Sequence, residues 1–188
     1  MKRSLFFALI LIAIRSQAQF DGAETTGTIK LSTAYAHDFP KLNGLSVGAE
    51  FVKPLTHRFE AGFGVRHINM SGNPRTETAK EYTKATTLDF NVYVLPLKSE
   101  THALKIGGGY SFSFYKIRRS FPVISHETQT PQTQWPIQDS KGSISGFMLS
   151  GEYEYSIPNS SISMGIRASL FKAYDQATSV GPFVGFRL

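Results

Sequence analysis

Five histidines, at positions 37, 57, 67, 102 and 126, are the first candidates for acid–base or metal chemistry. No His-Glu-x-x-His or other tight ligand spacing links His37, His57, His67, His102 and His126, so no metal site is expected. The segment Arg66-His67-Ile68-Asn69-Met70-Ser71 sets a histidine four residues before a serine. A hydroxyl nucleophile needs a base within hydrogen-bond reach, whereas four residues of extended chain separate two backbones by about 13 Å. No catalytic residue is therefore assigned, and no enzyme activity is expected. Gly107-Gly108-Gly109 runs on into Tyr110-Ser111-Phe112 instead of the Gly-Lys-Ser/Thr that opens a helix beneath a phosphate. Cysteine is absent, which excludes thiol catalysis, thiolate metal sites, disulfides and a lipid-modified N-terminal cysteine. No cofactor is implied.

What remains is charge placed at alternate positions: Lys30, Glu50, Arg58, Glu60, Arg66, Asp89, Lys105, Glu152, Glu154, Arg167 and Arg187. The elements that position it are strands. Alternation of period two recurs eight times, over 27–37, 45–52, 58–67, 88–94, 103–117, 147–155, 162–170 and 180–188, separated by Gly, Pro, Asn and Ser clusters. In each, one face is apolar, as with Phe59, Ala61, Phe63 and Val65, and the other carries glycine, serine and charge, as with Glu60, Gly62, Gly64 and Arg66. The connections alternate too. Those at 53–57, 98–102 and 158–160 are tight, whereas 69–84 and 118–143 are long, the asymmetry of barrels with short periplasmic turns and long external loops.

An all-β chain of this kind closes into an eight-stranded antiparallel up-and-down barrel. Two orientations share those strands: a soluble cup with the apolar face inward around a ligand, or a transmembrane barrel with it outward. Glycines at 48, 62, 64, 107, 109, 165, 181 and 185 lie on the charged face, which suits a narrow axis and gains little against water. The eleven charges are five acids and six bases, so they can pair inside. Because an unpaired buried charge costs several kcal/mol, such a lumen is expected to be a satisfied network, a plug rather than an open pore. On the apolar face, Phe51, Phe59, Tyr155 and Phe186 fall near one rim and Tyr35, Phe114 and Phe147 near the other, as two aromatic girdles.

The N-terminus reads as a secretory signal: Lys2 and Arg3, an apolar run over 5–14, and Ser16-Gln17-Ala18 as cleavage site. Ten apolar residues are too few for a spanning helix of about 20. Cleavage leaves one barrel domain, 19–188. Loss of Lys2, Arg3 and Arg15 lowers the formal charge from +6 to about +3, which weakens any nucleic-acid reading.

The signal, the eight strands and the closing Val184-Gly-Phe-Arg-Leu188 resemble the small outer-membrane barrel families of OmpX and the OmpA transmembrane domain, and the Gln-Ala-Gln cleavage region resembles exported proteins of Bacteroidetes-type Gram-negative bacteria. The resemblance spans the mature chain. It implies an outer-membrane location with both termini periplasmic, and a C-terminal signal for the insertion machinery in Val184, Phe186 and Leu188, although Leu188 stands where the family favours Phe. It also implies a monomer in contact with lipopolysaccharide. Lipid A deacylases with a Ser-His pair and lipid A palmitoyltransferases share this scaffold, but a charged, glycine-rich lumen leaves no evident slot for an acyl chain. The expectation is a structural or surface-interaction envelope protein, with loop 118–143 meeting a surface partner and Arg118 and Arg119 meeting lipid phosphates. A narrow porin-like channel is the alternative, and a lipid A-modifying enzyme the second.

Overall fold

The computed structural model describes residues 27–38, 41–72, 80–120, 123–125, 132–134, 136–173 and 176–188. The expected signal peptide lies outside them, as does His126. Ten strands form: β1 (Thr28–Asp38), β2 (Asn43–Pro54), β3 (Phe59–Gly72), β4 (Glu81–Lys98), β5 (His102–Ser120), β6 (Val123–Ser125), β7 (Gln132–Gln134), β8 (Ile137–Ser156), β9 (Ile162–Lys172) and β10 (Gln176–Arg187). Eight of them close a barrel in the order β1-β10-β9-β8-β5-β4-β3-β2, every described neighbour antiparallel. Partner by partner, Gly151 leads through Ala168, Val180, Tyr35, Leu45, Asn69, Lys84 and Lys116 back to β8 at Lys141, ten residues from the start. A closed sheet staggered in this way must tilt its strands, by about 35–45° in typical barrels.

The apolar face points outward. Phe63, Val92 and Leu149 are 46%, 50% and 60% exposed, while Lys30 and Glu152 on the opposite face are each 1% exposed. This is the transmembrane arrangement, and the soluble cup is excluded for this part of the barrel. Gly27, the first described residue, and Leu188 sit at the end with short turns, where the Leu188 amide donates to the Gly27 carbonyl. The opposite end is built by longer strands than the alternation alone outlines. Strand four extends from 88–94 to 81–98, and the expected loops 69–84 and 118–143 are partly strand. In particular β5 and β8 pair as far as Ser120 and Ile137, and β6 and β7 continue that ribbon in the same register.

One irregularity was not legible in the alternation. Between Val94 and Leu97, β4 spends three steps where β5 spends two, a bulge at Pro96, which has no N–H to give the ladder. Leu95 keeps the inward parity of Tyr93 and its amide donates to the Arg58 carbonyl, while Leu97, past the bulge, is carried to the outer face.

Glycine acts here through close approach. A Cβ on Gly109 would lie 2.0 Å from the Phe90 carbonyl oxygen, whereas one on the outward Gly151 would meet nothing within 4 Å. Replacing Gly109 with Ala is expected to lower refolding yield, read as the heat-modifiable shift on electrophoresis. Replacing Gly151 with Ala should leave yield intact and raise stability by about 0.5–1 kcal/mol in urea titration.

Candidate functional site

The inward face of the barrel divides into a charged lower half, toward the short turns, and an apolar upper half, toward the ribbon. In the lower half Lys30 on β1 reaches across to β8, donating to Glu152 and, at 2.8 Å, to Glu154. Lys105 on β5 bridges Glu60 at 2.5 Å and Glu154 at 2.9 Å. Arg167 on β9 holds Glu50 and, at 2.8 Å through Nε, Glu152. Arg66 meets Asp89 at 2.9 Å. Nine charges thus form two clusters, one of seven that ties together β1, β2, β3, β5, β8 and β9, and the Arg66–Asp89 pair on the neighbouring β3 and β4. Lys30 and Arg167 also stack against the Phe183 ring, at 4.6 and 5.6 Å.

Two of the eleven expected members lie elsewhere. Arg58 is exposed in the turn before β3 and Arg187 is exposed at the last residue of β10. Their positions continue the inner-face parity, but at the rim that face no longer encloses anything. Of the expected set, the lower half of the interior therefore holds five acids against four bases rather than six. Neutral donors supply the difference: the Tyr93 hydroxyl and Asn91 amide donate to Glu50 at 2.8 and 3.0 Å, and Ser111 donates to Asp89. Tyr93 fits because its ring lies over two glycines; a Cβ on Gly62 or Gly107 would come within 3.1 or 2.6 Å of it. Above this layer a cavity of about 40 Å³ beside Arg66, Asp89, Asn91 and Arg167 has room for a few waters at most.

Toward the ribbon the polarity of both faces reverses. The inner face now carries Ile68, Met70, Ala85, Ile117, Ile144 and Phe171, which line a second cavity of about 330 Å³. The outer face carries the exposed His67, Asn69, Lys84, Lys116, Ser143 and Lys172. Arg119 and Asp38 bond at 2.6 Å from strands with three others between them on either side, so the pair crosses the barrel. The expectation of an Arg118–Arg119 pair facing lipid is corrected: Arg119 is buried on this crossing, with a further 3.0 Å bond to Thr83. Arg118 forks onto its cross-strand partner Asp139 at 2.7 and 2.8 Å. That hydrogen bond, with the added coulombic attraction, holds the exposed Asp139 carboxyl below its ordinary value.

On the outside, Tyr35, Phe51, Phe59, Phe114, Phe147 and Phe186 are exposed and Tyr155 is half-buried, grouped toward the two ends of the apolar band. Val184, Phe186 and Leu188 also face out. A feature the sequence reading missed lies beyond the band: Lys84, Lys116 and Lys141 are register partners across β4, β5 and β8, all exposed, forming one basic row. Their common parity was the available signal, but the register that aligns them was not. His67 is exposed on the outer face with Nδ1 3.1 Å from the Thr86 hydroxyl, on the neighbouring strand.

No family model matches the chain, and no curated protein sequence does. Among solved structures, Ail, the attachment invasion locus protein of Yersinia pestis, is similar at 9% identity and TM-score 0.57, over 88% of this chain and 100% of Ail. Neisserial surface protein A is similar at 10% identity and TM-score 0.58, over 89% and 100%. The outer-membrane protease OmpT of Escherichia coli is similar at 10% identity and TM-score 0.51, over 90% and 99%. The fold is thus that of small outer-membrane barrels, the OmpX and OmpA type. It does not decide chemistry, since a protease shares it.

Lys105 touches two carboxylates, so removing its ammonium strands Glu60 in the lumen and leaves Glu154 on Lys30 alone. Replacing Lys105 with Ala should destabilise the barrel by about 3–5 kcal/mol, measured by urea unfolding in lipid vesicles. A change under about 1 kcal/mol would show that water already neutralises these groups.

Proposed function

We propose that this is a non-conducting, non-enzymatic outer-membrane protein that presents a β-ribbon to partners at the cell surface. One observation carries the reading. Residues 137–146 of β8 pair with β5, but the ladder to β9 begins only at Phe147, so among the described residues the other edge of that stretch is unpaired. A row of free backbone N–H and C=O groups is a template for an added strand. Side chains from 137 to 143 are exposed on both faces, so the β8 strand of the ribbon is solvated. The Arg118–Asp139 fork joins the ribbon's two strands.

The short-turn end, carrying both barrel termini, is assigned to the periplasm and the ribbon end to the outside, as loop asymmetry favours. The row Lys84, Lys116 and Lys141, just beyond the apolar band, suits the phosphates of lipopolysaccharide. The basic contact expected of Arg118 and Arg119 moves to these lysines. Val184, Phe186 and Leu188, facing lipid on the last strand, are the surface offered to the insertion machinery. The chain acts as a monomer. The clustered lumen ions, with room for only a few waters, support a plug over the channel reading.

Two measurements test this. In planar bilayers the refolded protein should give no unitary conductance, and steady channels would favour the pore. Panning the nanodisc-embedded protein against a library of extended peptides should enrich binders that a chain lacking residues 120–141 no longer holds, although that chain still shows the heat-modifiable shift. Enrichment only of binders indifferent to the deletion would remove the ribbon from the function.

A further inference from the structure

The cavity under the ribbon is not explained by plug or surface display. Protein interiors keep few voids larger than a water molecule, yet this one holds about 330 Å³, roughly twice the apolar cavity of about 150 Å³ that takes up benzene. Its walls are mostly hydrocarbon, from Ile68, Met70, Ile117, Ile144 and Phe171. Those side chains occupy the inner face at a level where the outer face is already lysine, serine and asparagine, so this section of the barrel stands beyond the apolar band and is built as a soluble cup. Packing alone would have filled such a core. Below it the same inner face turns to ions and glycine, which gives the cup a polar floor.

Two polar side chains point to a ligand as well. Thr87 and Ser113 are 0% and 2% exposed and line the cavity, and their hydroxyls have no hydrogen-bond partner among the described residues. At the mouth, Arg119 faces Asp38 at 2.6 Å and Glu81 at 3.9 Å, one cation between two carboxylates. That local excess of negative charge disfavours an anionic head.

We propose that this chamber binds a small, uncharged, apolar molecule of about ten non-hydrogen atoms bearing one hydroxyl or carbonyl, with its hydrocarbon against Ile68, Met70, Ile117 and Ile144 and its polar group on Thr87 and Ser113. The Asp38–Arg119 pair crosses the entrance. Closed ladders separate the chamber from the bilayer up to the Phe147–Lys172 pair, and the ligand enters from the ribbon end, where β8 beside Ile144 no longer pairs with β9 among the described residues. This inference is independent of the ribbon's partner.

Octan-1-ol serves as the probe, with methyl-labelled Ile and Met in the full barrel embedded in nanodiscs of perdeuterated lipid. The methyls of Ile68, Met70, Ile117 and Ile144 should shift saturably and show intermolecular nuclear Overhauser effects to octanol protons. The lipid-facing Ile106 and Ile166 report simple partition and should respond without saturating. Filling the chamber by Ala177→Phe or Ala85→Phe should weaken the saturable phase at least tenfold, with unchanged Ile106 and Ile166 spectra certifying the fold. Thr87→Val should weaken octanol but not octane. The proposal is overturned if chamber methyls follow only the partition controls, if either filling variant binds as well as the parent, or if those methyls already contact water or protonated lipid chains before octanol is added.

Discussion

Hydrocarbon accepts no hydrogen bonds, and the rest of this structure follows from that constraint. A sheet placed in lipid must close on itself so that each backbone group finds a strand. Closing eight strands with a stagger of ten leaves an axis too narrow for large side chains on every wall. Glycines therefore alternate with the few long residues, and Tyr93 lies across Gly62 and Gly107 because nothing else could stand there. Those long residues are mostly ionic. Once buried they are tolerable only in mutual contact: Lys105 and Arg167 each bridge acids from two strands, and Lys30 holds two acids of β8.

Where the lipid stops, so does the constraint. Beyond the band the outer face becomes polar and the inner face apolar, and the two orientations that alternation alone left open both occur, one above the other in a single barrel. The plug and the chamber are consequences of the same strands crossing that boundary. The β8 strand of the ribbon goes further still, and over 137–143 both of its faces are solvated.

The faces of the strands were readable because a period of two is unforgiving: a slip of one residue would send Phe63 inward and Glu60 outward. Their ends were not. Residues 137–143 carry no alternation because both faces of that strand meet water, so this part of β8 looked like loop. Parity placed Arg58 and Arg187 inside, but parity does not say where the lumen ends. It does separate Arg118 from Arg119, a distinction available from Lys105 onward and obscured by treating the pair as rim. The chamber was also written in the sequence, since Ile68, Met70, Ile144 and Phe171 fall on inner-face parity. Reading it required knowing that the strands continue beyond the band, a fact fixed by long-range register rather than by local pattern.

The account rests on which way each face points, and the absence of native cysteine permits a direct test. Single cysteines along β3, placed at positions 61, 63, 65, 67 and 69 and carrying nitroxide labels, can be measured by electron paramagnetic resonance in lipid bilayers for collision with oxygen and with a water-soluble nickel chelate. Labels at 61, 63 and 65 should be reached by oxygen and not by nickel, with the preference inverting at 67 and 69. If the label at 63 were shielded from both, or if nickel reached every position equally, the outward apolar face and the boundary above it would be wrong.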